Sequence, residues 1–91
     1  MATLALMIKI DGEHVLQGLQ EAQQKLDNAD GELVLDFSAV QRIEPAALRE
    51  MEILAHAADA KKVKVSLRGT AVHVYKVLKL ARLTARFTFL N

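Results

Sequence analysis

The sequence predicts a single small α/β domain: a four-stranded, mostly parallel sheet in the order β-α-β-α-β-α-β, with the helices packed on it. Three observations carry that expectation. Short apolar or alternating runs take turns with longer stretches whose apolar residues recur at helical spacing. Turn residues mark the junctions, at Asp11-Gly12, Asn28 to Gly31 and Gly69-Thr70. The chain has 91 residues, 52% of them hydrophobic and 25% charged, enough for one core under an ordinary soluble surface. Strands and helices alternating at this length imply right-handed crossovers, and residues 1–91 read as one domain without a linker or repeat.

The elements follow in order. Thr3 to Ile10 is short, apolar and closed by Asp11-Gly12, so it reads as a strand. From Glu13 to about Asn28, Val15, Leu16, Leu19, Ala22 and Leu26 form one apolar face of an amphipathic helix, and Gly31 suits a left-handed stop. Leu33-Val34-Leu35 is apolar on both faces, which predicts a strand inside a sheet covered on two sides. Pro45 suits the first position of a helix, where its missing N–H costs nothing. That helix is expected to reach about Lys61 and to bury Ala47, Leu48, Met51, Leu54, Ala55 and Ala58, with Lys61 and Lys62 favoured at its negative end. Val63, Val65 and Leu67 alternate with Lys64 and Ser66 as in a half-exposed strand. Thr70 is a candidate N-cap for a third helix that buries Val74, Val77, Leu78 and Ala81. Arg86 to Leu90 alternates again and closes the chain as a strand.

The net charge of +1 hides an asymmetry. Residues 1–60 hold all 11 acidic residues and four basic ones, a balance of −7, while residues 61–91 hold eight basic residues and no acid, a balance of +8. Either the two parts steer an oppositely charged partner, or they interleave in space and cancel. The chain has no cysteine, which removes disulfides, thiolate metal sites and a Cys nucleophile. Its N-terminus does not read as a signal peptide, and no stretch approaches the roughly 20 apolar residues of a membrane span, so a cytoplasmic location is expected.

No catalytic constellation stands out, and an enzyme is not expected. His14, His56 and His73 fall on three different predicted helices, without the pairing of a helical metal site, and read as surface or boundary histidines. The four glycines are dispersed and form no phosphate loop, and Glu50 and Glu52 point to different sides of their helix. No cofactor is expected. Nucleic acid is disfavoured because most of the four aromatic residues fall at core positions, leaving Lys76, Lys79 and Arg82 as a solvated face.

Four segments carry a resemblance. Glu32-Leu33-Val34-Leu35-Asp36-Phe37-Ser38-Ala39-Val40 followed by Ile43-Glu44-Pro45-Ala46-Ala47-Leu48 resembles the core of STAS domains, the family of bacterial anti-sigma factor antagonists. Val63 to Gly69 is similar to the family's next strand, and Val74-Tyr75-Lys76-Val77-Leu78 with Leu80 and Leu83 to its later helix, which usually ends in Gly-Leu. The likeness covers about residues 31–91; the N-terminal third fits in outline, where the family usually has a longer strand pair.

The resemblance implies a bacterial signalling or regulatory module that works by protein–protein contact. In the family, a partner kinase phosphorylates the second hydroxyl residue of an Asp-Ser-Ser-Gly turn at a helix start. Here Glu44 stands at the Asp position, Pro45 at the first Ser, Ala46 at the phosphoacceptor and Ala47 at the Gly. With no hydroxyl at Pro45 or Ala46, phosphorylation at the family position is chemically impossible. Asp36, Ser38, Glu44, Pro45, Ala46 and Ala47 are the expected partner-binding residues. Glu44 is open between helix cap and partner contact, and Asp36 between contact and a loop hydrogen bond. The implied partner is an anti-sigma or kinase-like factor, or the ATPase component of a transporter. The alternatives are a domain that senses a small ligand, a nucleotide or lipid, and self-association into a homodimer.

Overall fold

The structure, a computed structural model, describes residues 5–90. Four strands, β1 (Leu6–Lys9), β2 (Glu32–Asp36), β3 (Lys64–Arg68) and β4 (Thr88–Leu90), alternate with three helices, α1 (Val15–Gln24), α2 (Pro45–Lys61) and α3 (Val72–Leu80). The sheet is parallel throughout, and its spatial order β1-β2-β3-β4 is the order of the chain. The expected alternation is thus present. The first predicted strand's opening residues Thr3 and Leu4 lie outside the described residues.

Register explains the core. Leu6 pairs with Leu33 and Ile8 with Leu35; Leu33 and Leu35 pair in turn with Val65 and Leu67, and Leu67 with Phe89. All point to one face, because side chains alternate along a strand. On that face they join Leu19 and Ala22 of α1, Ala47, Met51, Leu54, Ala55 and Ala58 of α2, and Val74 and Leu78 of α3 in one cluster. Right-handed crossovers between strands laid down in sequence put every helix on the same side. The expectation of a sheet covered on two sides is therefore corrected. The opposite face carries Met7, Lys9, Glu32, Asp36, Lys64 and Arg68 at paired register positions. Val34 and Ser66 are the buried residues on it, and the Ser66 hydroxyl donates to Glu32 Oε2 at 2.9 Å.

Smaller corrections have local causes. α1 ends at Gln24, and the chain tightens into a 3-10 turn over Leu26–Asn28 that drops Leu26 into the core. Leu16, expected inward, is 38% exposed, and Leu48, Val77 and Ala81 are half-buried. Thr70 is not the cap of α3: Ala71 holds that position without a side-chain hydrogen bond, and the buried Thr70 hydroxyl has no protein partner among the described residues. The last strand begins at Thr88.

The charge asymmetry is spatial. Because strand order follows chain order, the acid-free residues 62–90 carry β3, α3 and β4, one side of the domain. Ion pairs Lys61–Asp27 and Arg86–Asp59 stitch the two sides together, but Lys76, Lys79 and Arg82 have no ion-pair partner among the described residues. Interleaving thus offsets part of the charge, with Lys64 and Arg68 also opposite Glu32 and Asp36 in the sheet, and leaves the α3 cations uncompensated.

Candidate functional site

Parallel strands all end at one edge of the sheet, and the helix starts that follow them gather there. This is where open α/β sheets form their crevices. In this chain the edge is built from the loops 10–14, 37–44 and 69–71. Ile10 N–H donates to Asp36 C=O at 3.0 Å, and Phe37 N–H to Arg68 C=O at 2.8 Å, so each loop leaves from a fixed point. Phe37 and Val40, both buried, bracket a turn closed by Val40 N–H on Phe37 C=O at 2.9 Å. His73 hydrogen-bonds the Gln41 carbonyl and ties the start of α3 to the same loop.

Two aspartates shape the loops. Asp11 Oδ1 accepts the Glu13 N–H at 2.9 Å, and Oδ2 lies 3.1 Å from His14 Nδ1. The Glu13 N–H, and then His14, hold the Asp11 carboxyl below its ordinary value. Asp36 accepts the Ser38 N–H at 2.9 Å. The Ser38 hydroxyl first, and its N–H second, lower the Asp36 carboxyl, with lesser attraction from Lys9 and Arg68 on the neighbouring strands. Asp36 thus makes a loop hydrogen bond and sits on the helix-free face. A carboxyl lowered in the fold stabilises it above the unfolded value and loses that contribution as pH falls through the folded one. The two loops are expected to loosen only below the ordinary carboxylate range, under about pH 4, and not between pH 5 and 8. Amide hydrogen exchange at Glu13 and Ser38 across that range checks this; loosening at pH 6 would contradict it.

Glu44 is the N-cap residue of α2, in extended conformation, and its C=O accepts the first helical hydrogen bond from Leu48 N–H at 3.0 Å. Its side chain makes no capping hydrogen bond and points into solvent. The geometry therefore removes the cap reading of Glu44. Pro45 opens the helix as expected, and Pro45 and Ala46 are exposed. Ala47 is buried as its helical spacing predicts, at 3% exposed, and presents little surface to a partner.

A groove of about 590 Å³ runs between the starts of α1 and α2. Glu44, Ala46 and Ala47 form its α2 side with Arg42, and Gly12, His14, Leu16 and Gln20 are among the residues opposite. Asp36, Ser38 and Pro45 do not line it. Sequence reasoning missed His14, Arg42 and Gly12. The topology carried the signal for them, since the loop after β1 must lie beside the loop after β2 at the shared edge. A Cβ on Gly12 would stand 2.0 Å from the Ala39 carbonyl oxygen, which shows how closely the two loops meet. The described residues contain no cluster of three or more candidate metal ligands, and none of their helices is long and apolar enough to cross a membrane.

Solved structures match this architecture. The solution structure of the protein TM1081 superposes with a TM-score of 0.76 at 14% identity, covering 93% of this chain and 72% of its own. The crystal structure of the Thermotoga maritima protein, described as a candidate anti-sigma factor antagonist, gives 0.72 at 17% identity, covering 100% and 75%.

The chain has the STAS-like fold.

No protein-family model matches the sequence, and comparison with curated proteins finds no relative. The likeness is therefore one of fold. It places Ala46 at the exposed start of α2, where the resemblance puts the family's phosphoacceptor.

Proposed function

We propose that this STAS-like domain is a non-enzymatic adaptor that docks on another protein through the edge around α2, constitutively and without a phosphorylation switch at the family position. The observation that carries the reading is the exposed Glu44-Pro45-Ala46 start of α2. It offers one uncapped carboxylate beside a hydroxyl-free, small-residue surface. A free carboxylate at this position suits an Arg or Lys of a partner, where a charge-assisted hydrogen bond fixes register. Ala46 lets a partner's backbone approach closely. The carboxyls with lowered values at this edge, Asp11 and Asp36, are committed to loop turns. The partner class that the resemblance supports is an anti-sigma or kinase-like factor, or a transporter ATPase component, in a bacterial cytoplasm.

A second reading rests on the groove itself. Its 590 Å³ falls in the size range of small-molecule sites, and its walls mix Leu16 with His14, Arg42 and Glu44. A nucleotide or lipid headgroup bound there would make the domain a ligand sensor.

Paired capture from native lysate separates the readings. Immobilised wild-type domain and the Glu44→Lys variant are compared by quantitative mass spectrometry, with melting curves showing both are folded. The adaptor reading expects a protein retained by the wild type and lost from the variant; an unchanged bound set counts against it. A reproducible rise in melting temperature with a nucleotide or lipid, and no retained protein, would favour the sensor.

A further inference from the structure

We infer that the outer face of α3 is a second docking surface, separate from the α2 edge, and that it takes an acidic amphipathic helix of another protein. Val74 and Leu78 turn inward, so Val72, Lys76, Lys79 and Leu80 turn out. Val72 is 71% and Leu80 86% exposed, and Tyr75 flanks them at 39%. Val72 and Leu80 stand about 12 Å apart along the axis, at 1.5 Å per residue. The two lysines lie between them. Scattered exposed apolar residues need no explanation, but here two anchors bracket a pair of cations on one nine-residue helix.

The charge is arranged at a cost to the domain. Lys76 and Lys79 are one turn apart, where like charges weaken a helix, and neither has an ion-pair partner among the described residues. Arg82 follows the helix with φ 61, in the left-handed region that glycine favours. The stop is a complete Schellman arrangement, with Arg82 N–H on Lys79 C=O at 3.0 Å and Leu83 N–H on Leu78 C=O at 2.9 Å. A non-glycine residue in this conformation costs about 1 kcal/mol, yet the side chain set there is a third exposed cation.

The face is also held in place. His73 pins the start of α3 to Gln41, and the Tyr75 ring meets Phe89 edge-on, centroids 4.9 Å apart at 76°. A preorganised surface loses little entropy on binding. The Tyr75–Phe89 contact takes the one exposed aromatic of α3 out of use as a stacking platform, which disfavours a nucleic acid. The lysines that separate Val72 from Leu80 break any continuous apolar stripe, which disfavours insertion into a lipid surface. What fits is a helix with apolar residues about two turns apart and Asp or Glu between them, so that each anchor meets an anchor and each cation an acid.

The test uses the full chain, labelled with ¹⁵N, and a designed helical peptide. The peptide carries two leucines eight residues apart, glutamates between them on the same face, and Ala and Gln elsewhere. Its amide shifts should map to residues 72–83, and Lys76→Glu with Lys79→Glu should weaken binding at least tenfold while the melting temperature holds. Glu44→Lys should bind the peptide as the wild type does, which keeps this result distinct from that of the α2 edge. A peptide with lysines for glutamates should not bind. Unmoved α3 resonances at millimolar peptide would overturn the inference. So would tighter binding of the same face to phosphatidylglycerol vesicles or oligo-dT, or self-association through α3 in sedimentation without peptide.

Discussion

Gly12→Ala is expected to lower the melting temperature by roughly 10–20 °C, the equivalent of about 2–3 kcal/mol in a domain of this size. The added methyl would fall 2.0 Å from the Ala39 carbonyl oxygen and 3.0 Å from its carbon, both backbone atoms of the neighbouring loop. No rotamer change relieves a clash with backbone, so the loops after β1 and β2 must separate. Those loops hold the two walls of the groove, and the variant should loosen the α2 edge as well as the fold. Gly18→Ala is the control. Its methyl would meet the Ile10 side chain at 3.1 and 3.4 Å, with a side chain free to shift. Helix propensity then favours alanine by up to about 1 kcal/mol. Thermal unfolding followed by circular dichroism measures both. Equal melting temperatures for Gly12→Ala and the wild type would show that the loops do not meet as described.

The second large effect is expected in binding alone. Ala46→Glu places a carboxylate one residue inside the start of α2, beside Glu44, at an exposed position. A negative charge there is favourable to the helix by about 0.3–1 kcal/mol, so the melting temperature should hold or rise slightly. A partner fitted to one carboxylate and a small side chain would meet two carboxylates and added bulk. Affinity should fall at least tenfold, about 1.4 kcal/mol. Ala46→Ser, which restores a hydroxyl without charge or bulk, should bind nearly as the wild type does. A titration in which Ala46→Glu and wild type bind alike would place the contact elsewhere.

Much of this fold was legible in the sequence because local signals agreed. Pro45 set the start of α2 to the residue, and the spacing of Met51, Leu54, Ala55 and Ala58 set its buried face. Gly31, with φ 89, marks the turn into β2 as its position suggested. The sidedness of the sheet was harder to read. Val34 between Leu33 and Leu35 looks like a strand covered twice. Its burial, however, is on a face where no helix lies among the described residues, and Ser66 beside it is closed off with Glu32. The end of α1 was missed because Leu26 keeps helical spacing while the backbone has already tightened into a 3-10 turn.

The candidate site was legible along the chain but not across it. Glu44, Pro45 and Ala46 announce a helix start from sequence alone. That His14 and Arg42 share its groove follows from the parallel sheet bringing separate loops to one edge, a relation no local pattern encodes. Ala47 reads in sequence both as part of the contact turn and as part of the buried side of α2, and it faces the core as the helical spacing indicated.

The proposed function rests on a constitutive contact made by the Glu44 carboxylate at the start of α2. Its most direct test is a titration of the captured partner against the wild type and Glu44→Lys, each unphosphorylated and each checked for an unchanged melting curve. Saturable binding by the unmodified wild type is expected, and none by the variant at a hundredfold higher concentration. Equal affinity for both proteins, or binding that requires prior phosphorylation of the domain, would contradict it.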